Sequence, residues 1–333
     1  MTYKQAYTQR DVARAAGVSD MTVSRVLRGS GTVSERTRDH IMQVVREMGY
    51  VPSRLPGSLA KSKSNQVGVI IPSLTSSIFN LVAAGIASEL EKAGYNPVIG
   101  ISEYDEEREE SLIESMLSWR PAGFIVNDFV HSARTRNMLQ NAGIPVVEMM
   151  ELKDDPIDKC VGFNHSEAAR ALTEHLLTKG YRRFGFLGWT PDRYAASTRF
   201  RTIRKILHQK GLPLAELTGF TATPDEVEGK LATKALLDAH PDLDVIIYSN
   251  DSAAIGGMLH CLDAGLSIPD EIAIAGFSGI PAGQVMPKQL TTISFKRFEV
   301  GRRAAKVVLN SLVGQKEPAV VDMGFELIPG TSS

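Results

Sequence analysis

From Gln66 onward the chain repeats one pattern: a short apolar run, a polar tip, then a longer segment with apolar positions three and four apart. The runs are QVGVIIPS, NPVIGIS, AGFIVND, IPVVEMM, KCVGFN, RRFGFLGW, DVIIYSND and EIAIAGFSG. They are apolar on both faces and too short for stable helices, so they predict strands buried inside a sheet. The amphipathic stretches between them, such as the one from Ser77 to Ala93, predict covering helices. Buried strands alternating with helices make an α/β fold of doubly wound parallel sheets. About nine such strands overfill one sheet of this length, and a break near Lys159 divides them into two lobes.

Before Gln66 the period is helical throughout. Val12, Ala13 and Ala16 follow Thr8 and end at Gly17; Val23, Val26 and Leu27 follow Ser19; Ile41, Val44, Val45 and Met48 follow Ser34 and end at Gly49. Ser and Thr before an apolar stripe predict N-caps, and Gly after one predicts a stop. Two short helices joined by a tight Gly-Val turn and closed by a third form the helix-turn-helix plan. In that plan the second helix enters a DNA major groove.

Charge sharpens this reading. The chain is net −1, yet residues 1–65 hold eleven Lys and Arg against five Asp and Glu. A basic head on a mildly acidic body points to a polyanion at one end. On the second helix, Asp20, Met21, Ser24 and Arg25 face outward near the start. Arg25 suits guanine O6 and N7, while Ser19, Thr22, Ser24 and the helix-terminal amides suit phosphate, and Thr8 at the opening of the first helix counts with them. Whether Asp20 accepts from a cytosine amino group or excludes phosphate from a wrong register stays open.

The strings RDVARAAGVSDMTVSRVLRG and VSERTRDHIMQVVREMGYVPS resemble the N-terminal signature of the LacI/GalR repressors, and the resemblance runs through essentially the whole chain. It implies a helix-turn-helix head (1–51), a hinge (52–65), and a two-lobed core (66–333) like that of periplasmic binding proteins. It also implies a homodimer on pseudo-palindromic double-stranded operator DNA, with base reading by Asp20, Met21 and Arg25. In the family a hinge Leu wedges into the minor groove, which maps to Leu59, with Arg54 placed for phosphate. Pro56-Gly57 departs from the family's helix-friendly hinge. The expectation is therefore an extended or disordered hinge without DNA and a shortened helix with it. Dimer contacts are expected on outer helices around Val82 to Leu90, although packing within the chain explains those residues equally well.

Ligands of open α/β sheets bind beyond the carboxyl ends of strands, so the polar tips are the candidate effector site. These are Ser73, Thr75, Ser76 and Phe79 after the first strand, then Asn127, Asn164, Asn250 and Ser278. Arg199 in STRFRTIRK occupies the place of the family's effector-contacting Arg, three residues before a usual Gly that is Thr202 here, while Arg201 and Arg204 read as surface charges. Many members that bind neutral sugars carry an acid after AIAGF, where this chain has Ser278. Loss of a carboxylate beside a guanidinium favours an anionic ligand. PSLTSSIF, ESMLSW, AGIPVVEMM and DMGFELIPG further resemble the gluconate-utilisation branch, which implies gluconate or a related aldonic or keto-aldonic acid.

Other chemistry finds little support. No nucleophile elbow, Walker loop or HExxH motif occurs, so no enzyme activity, cofactor or metal is expected. Cys160 and Cys261 match no metal spacing and read as reduced cysteines. The acidic run EYDEEREES predicts a solvated helix start. With no signal-like or membrane-spanning run, the chain is expected in the bacterial cytoplasm. The alternative, a sugar-acid-binding receptor without a DNA role, leaves the basic head unexplained.

Overall fold

The computed structural model describes residues 7–29, 33–52, 64–74, 77–127, 130–189, 194–220 and 225–333. Arg54, Leu59, Pro56-Gly57, Thr75 and Ser76 lie outside the described residues.

Three helices, α1 (Gln9–Ala15), α2 (Asp20–Leu27) and α3 (Glu35–Met48), make the head. Thr8 and Asp11 form a reciprocal capping box on α1, and the Ser19 and Ser34 hydroxyls accept from the amides of Thr22 and Thr37 to start α2 and α3. Each cap satisfies an amide that the helix itself leaves orphaned. Val12, Val23 and Ile41, all fully buried, meet Val26, Val44 and Val45 in one core.

Downstream, β1 (Gln66–Ile71), α4 (Ser77–Lys92), β2 (Asn96–Ile101), α5 (Glu106–Leu117), β3 (Gly123–Asn127), α6 (Ala133–Asn141), β4 (Val146–Glu151) and β5 (Lys159–Phe163) come first. They are followed by α7 (His165–Thr178), β6 (Phe184–Trp189), α8 (Tyr194–Gln209), β7 (Leu214–Phe220), α9 (Glu226–Ala239), β8 (Val245–Tyr248), α10 (Asp251–Asp263) and β9 (Ala273–Ser278). The chain closes with the short α11 (Pro281–Gln284), β10 (Thr291–Ser294), α12 (Arg297–Leu312), β11 (Val320–Asp322) and β12 (Glu326–Ile328). Two six-stranded sheets result, ordered β11-β5-β4-β3-β1-β2 and β12-β10-β9-β8-β6-β7.

The first unit comprises Met1–Thr75, Phe79–Val161 and Phe298–Val321. Its central strands β1, β3 and β4 run parallel, and Ile70, Phe124, Val126, Ile113 and Met138 pack between them and helices α5 and α6. Fully burying such side chains stabilises the fold by about 1.5–3 kcal/mol each. Two glycines let α4 and α12 touch backbone to backbone: a Cβ on Gly85 would sit 2.1 Å from the Phe298 carbonyl, and one on Gly301 2.1 Å from that of Val82. Val82, Ile86 and Leu90 are accordingly fully buried within this unit, and it is Leu81, 38% exposed, that faces outward on α4.

The head belongs to this unit. Asn137 on α6 donates from Nδ2 to the carbonyls of Arg46 (3.1 Å) and Glu47 (3.0 Å), the orphan acceptors at the end of α3. Gly49 ends α3 in the left-handed region at φ 60°, and a Cβ there would come within 2.8 Å of the Asn137 carbonyl, so the junction needs glycine on both counts.

The acidic run does open a helix, α5, capped by Asp105. It is not a wholly solvated face, however. Glu109 is buried and accepts from His131 Nδ1 at 2.8 Å, while Glu110 takes Ser132 and Arg134. Across the imidazole, His131 Nε2 faces Glu148 Oε1 at 3.6 Å, and Glu148 Oε2 accepts the Ile157 amide. Burial alone would push His131 down, but the hydrogen bond to Glu109 and the negative charge of Glu109 and Glu148 outweigh it and raise the pKa to about 9.

The second unit comprises Ser76–Ile78, Gly162–Arg297 and Asp322–Ser333. Strands β6, β8, β9 and β10 are parallel neighbours, and β12 closes one edge antiparallel to β10. Leu187, Ile246, Tyr248, Ile274 and Met258 form its core, in which the Tyr248 hydroxyl is satisfied by Thr233 Oγ1 at 2.7 Å.

Candidate nucleic-acid interface and ligand site

The exposed start of α2 carries the predicted reading residues. Met21 is 63% exposed and Arg25 is exposed on the same helix. Ser19 and Thr22 share a 2.8 Å hydroxyl contact at the helix N-terminus, and the Ser24 hydroxyl accepts from Arg28. Asp20 is less free than its sequence position implies, because Gln9 Nε2 donates to its Oδ1 at 2.5 Å and to its carbonyl at 3.0 Å. That contact braces α2 against α1. The surface it leaves, with amides and hydroxyls around the helix start and the Arg25 guanidinium in its last turn, suits a phosphate backbone flanking a groove.

In the first unit, half-buried Ser73 follows β1 and buried Asn127 ends the neighbouring β3, with no hydrogen-bond partner on its Oδ1. Phe79, also buried, meets the Tyr104 ring edge-on at 6.5 Å.

The second unit assembles a denser cluster. Asn250 follows β8, Ser278 ends β9, and Arg297 follows β10, so all three sit at carboxyl ends of successive parallel strands. Asn164 and Asn250 are the caps of α7 and α10: their Oδ1 atoms accept the amides of Glu167 (3.0 Å) and Ala253 (2.8 Å). Asn164 is exposed, and its neighbours turn inward instead, His165 lying edge-on to Phe163 at 4.6 Å and Phe163 stacking on Phe295 at 3.7 Å.

Ser278 is 3% exposed, has no partner for its hydroxyl, and holds a φ of 126° that a side chain rarely adopts. Backbone strain of this kind costs about 1–3 kcal/mol and persists only where the surroundings enforce it. Arg199 lies with its guanidinium carbon 5.0 Å from the Phe277 ring centre, one residue before Ser278. On the other side, Arg297 Nη2 donates to the Gly279 carbonyl at 2.8 Å. Asp251, fully buried beneath this turn, accepts from Thr292 Oγ1 (2.7 Å) and the Ile280 amide (2.8 Å), and burial raises its pKa to about 6.

Arg297 is absent from the sequence expectations. In KRFEV it stands beside exposed Lys296 and looks like half of a surface pair, yet it is 4% exposed. The available signal was its place three residues beyond the end of β10.

A basic helix-turn-helix head joined to a two-sheet α/β body with polar strand ends defines a ligand-binding DNA regulator. Residues 8–53 match the model of "Bacterial regulatory proteins, lacI family", and residues 64–328 match that of "Periplasmic binding proteins and sugar binding domain of LacI family". The chain belongs to the LacI family and is a DNA-binding transcriptional repressor, not an enzyme. It is 36% identical to the HTH-type transcriptional regulator GntR of Escherichia coli (strain K12) over 97% of each chain. Among solved structures, a LacI family transcriptional regulator from Silicibacter pomeroyi matches with a TM-score of 0.79 and 39% identity, covering 98% of this chain and 99% of that one. Transcription regulator GntR from Chromobacterium violaceum matches at 0.76 and 33%, covering 80% and 99%. No helix among the described residues is long and apolar enough to cross a membrane.

Proposed function

We propose that the protein is a bacterial cytoplasmic repressor whose operator affinity is set by a sugar acid, gluconate or a related aldonic or keto-aldonic acid. Residues 1–51 read DNA, 52–65 couple, and 66–333 bind effector and pair two subunits. The observation that carries the effector reading is Ser278, a buried hydroxyl with no partner, next in the strand to the Phe277 on which Arg199 packs, at the place where many neutral-sugar binders of the family hold an acid. Without that carboxylate the strand end presents positive charge and a hydroxyl donor, which suits a carboxylate ligand and disfavours nothing about its hydroxyls. Likeness to regulators named GntR supports the same branch.

In the working complex a homodimer places one α2 in the major groove of each operator half-site, with Met21 and Arg25 at base edges and Ser19, Thr22 and Ser24 toward phosphates. A sugar acid that binds the DNA-free form more tightly must weaken operator binding by the same factor. Gel shifts with a palindromic duplex over a salt titration test this. Binding should weaken steeply with salt, and added gluconate should release the duplex. Undetectable duplex binding at low salt would sink the operator assignment. Release by no sugar acid in a panel of aldonic, keto-aldonic and uronic acids would sink the effector class.

A further inference from the structure

Arg297 combines three costs. Its guanidinium is 4% exposed, its Nε and Nη1 have no hydrogen-bond partner, and it stands at the first residue of α12, the end of a helix that repels positive charge. Asp251 relieves them only in part: its charge favours the guanidinium, but its oxygens are engaged by Thr292 and the Ile280 amide, no ion pair within 4.0 Å joins it to Arg297, and burial still holds the Arg297 pKa below its ordinary value. The one bond Arg297 does make, to the Gly279 carbonyl, aims it at the turn that carries the unpartnered Ser278 hydroxyl. A buried cation with donors free on two edges, beside a buried free hydroxyl, is a half-made anion site.

We propose that Arg297 is the residue that anchors the carboxylate of the effector, with Ser278 donating beside it, while Arg199 lies against Phe277 and helps hold the same turn positive. This rests on the sugar-acid reading above and names the group within it that selects acids over neutral sugars. Free donors at Nε and Nη1 let one guanidinium take the carboxylate and an adjacent hydroxyl together, which fits an aldonic acid, whose second carbon bears a hydroxyl. Lys at this position would keep the charge and lose that two-sided grip.

The test is calorimetry on the full-length protein with gluconate and with gluconamide, its uncharged amide. The wild type should prefer the acid. Arg297→Gln should weaken gluconate binding by about tenfold to a hundredfold, change gluconamide binding little, and so erase the preference. Arg297→Lys should keep a preference for the acid at reduced affinity, and it serves as the readout if the glutamine variant does not fold by circular dichroism. If the wild type binds gluconate and either folded variant keeps the wild-type affinity and preference, the effector reading stands and the Arg297 assignment falls. If the wild type binds no sugar acid, both fall.

Discussion

Each unit of the core buries a charged cluster, one around His131 and one around Arg297, and the two are built in opposite ways. In the first, His131 lies between Glu109 and Glu148, and the two atoms there without hydrogen bonds, His131 Nε2 and Glu148 Oε1, face each other at 3.6 Å. In the second, the Arg297 Nε and Nη1 donors and the Ser278 hydroxyl face no partner at all. Both clusters incur desolvation, but only the first recovers it within the protein. The difference separates charge that holds a fold from charge held ready for something else.

The sharpest way to break the comparison is Glu148→Ala. It leaves a buried imidazolium with one partner, and urea unfolding should show a loss of about 3–5 kcal/mol. A loss below about 1 kcal/mol would mean the triad is not what holds β4 to α5.

Titration probes the same contrast. His131 is raised from its ordinary value to about 9, so its contribution is fully present below pH 6.5 and disappears as pH rises through 9, roughly 3 kcal/mol in all. Asp251 is raised from 3.8 to about 6, and the linkage has the same sign: its contribution is fully present below pH 3.8 and disappears as pH rises through 6. The folded state binds the proton more tightly, so stability falls between pH 4 and 6 by a similar roughly 3 kcal/mol and is flat above. A stability profile measured from pH 4 to 10 should therefore be highest at pH 4 and step down twice as pH rises, between 4 and 6 and again between 6.5 and 9, and His131→Gln should remove only the second step.

Arg297→Met should act in the reverse sense to Glu148→Ala. Removing unpaired buried donors should leave stability unchanged or raise it by about 1 kcal/mol. If it cost as much as Glu148→Ala, the two clusters would be of one kind. The smallest effect is expected for Ser278→Gly, which relieves the φ of 126° and should stabilise by up to about 1 kcal/mol by thermal unfolding, offset in part by glycine's extra chain entropy.

Much of this architecture was legible in the chain. Apolar runs such as VGVII and IAIAGF are central strands because nothing else buries both faces, and Ser19, Ser34 and Gly49 mark helix ends by local chemistry alone. The strands β7, β10, β11 and β12 were not legible. Three lie at or near sheet edges with mixed polar composition, and β10 is four residues long. The burial of Glu109 and Arg297 was hidden for a different reason. Glu109 sits in a run of acids and Arg297 beside Lys296, and what separates each from its neighbours is a partner or a turn distant in sequence, His131 for one and Gly279 for the other. Among candidate ligand residues, polar strand tips were found by rule, yet the rule did not distinguish the helix-capping Asn164 and Asn250 from the unpartnered Ser278.

The reciprocal glycines of α4 and α12 carry a consequence for genetics. Any side chain at Gly85 or Gly301 collides with backbone rather than with a side chain able to swing aside, so no nearby change of rotamer rescues it. A screen for alleles that have lost repression should recover substitutions at these two codons alongside those in the head, although neither glycine is itself among the residues proposed to meet DNA or effector. Second-site revertants restoring such alleles should be scarce.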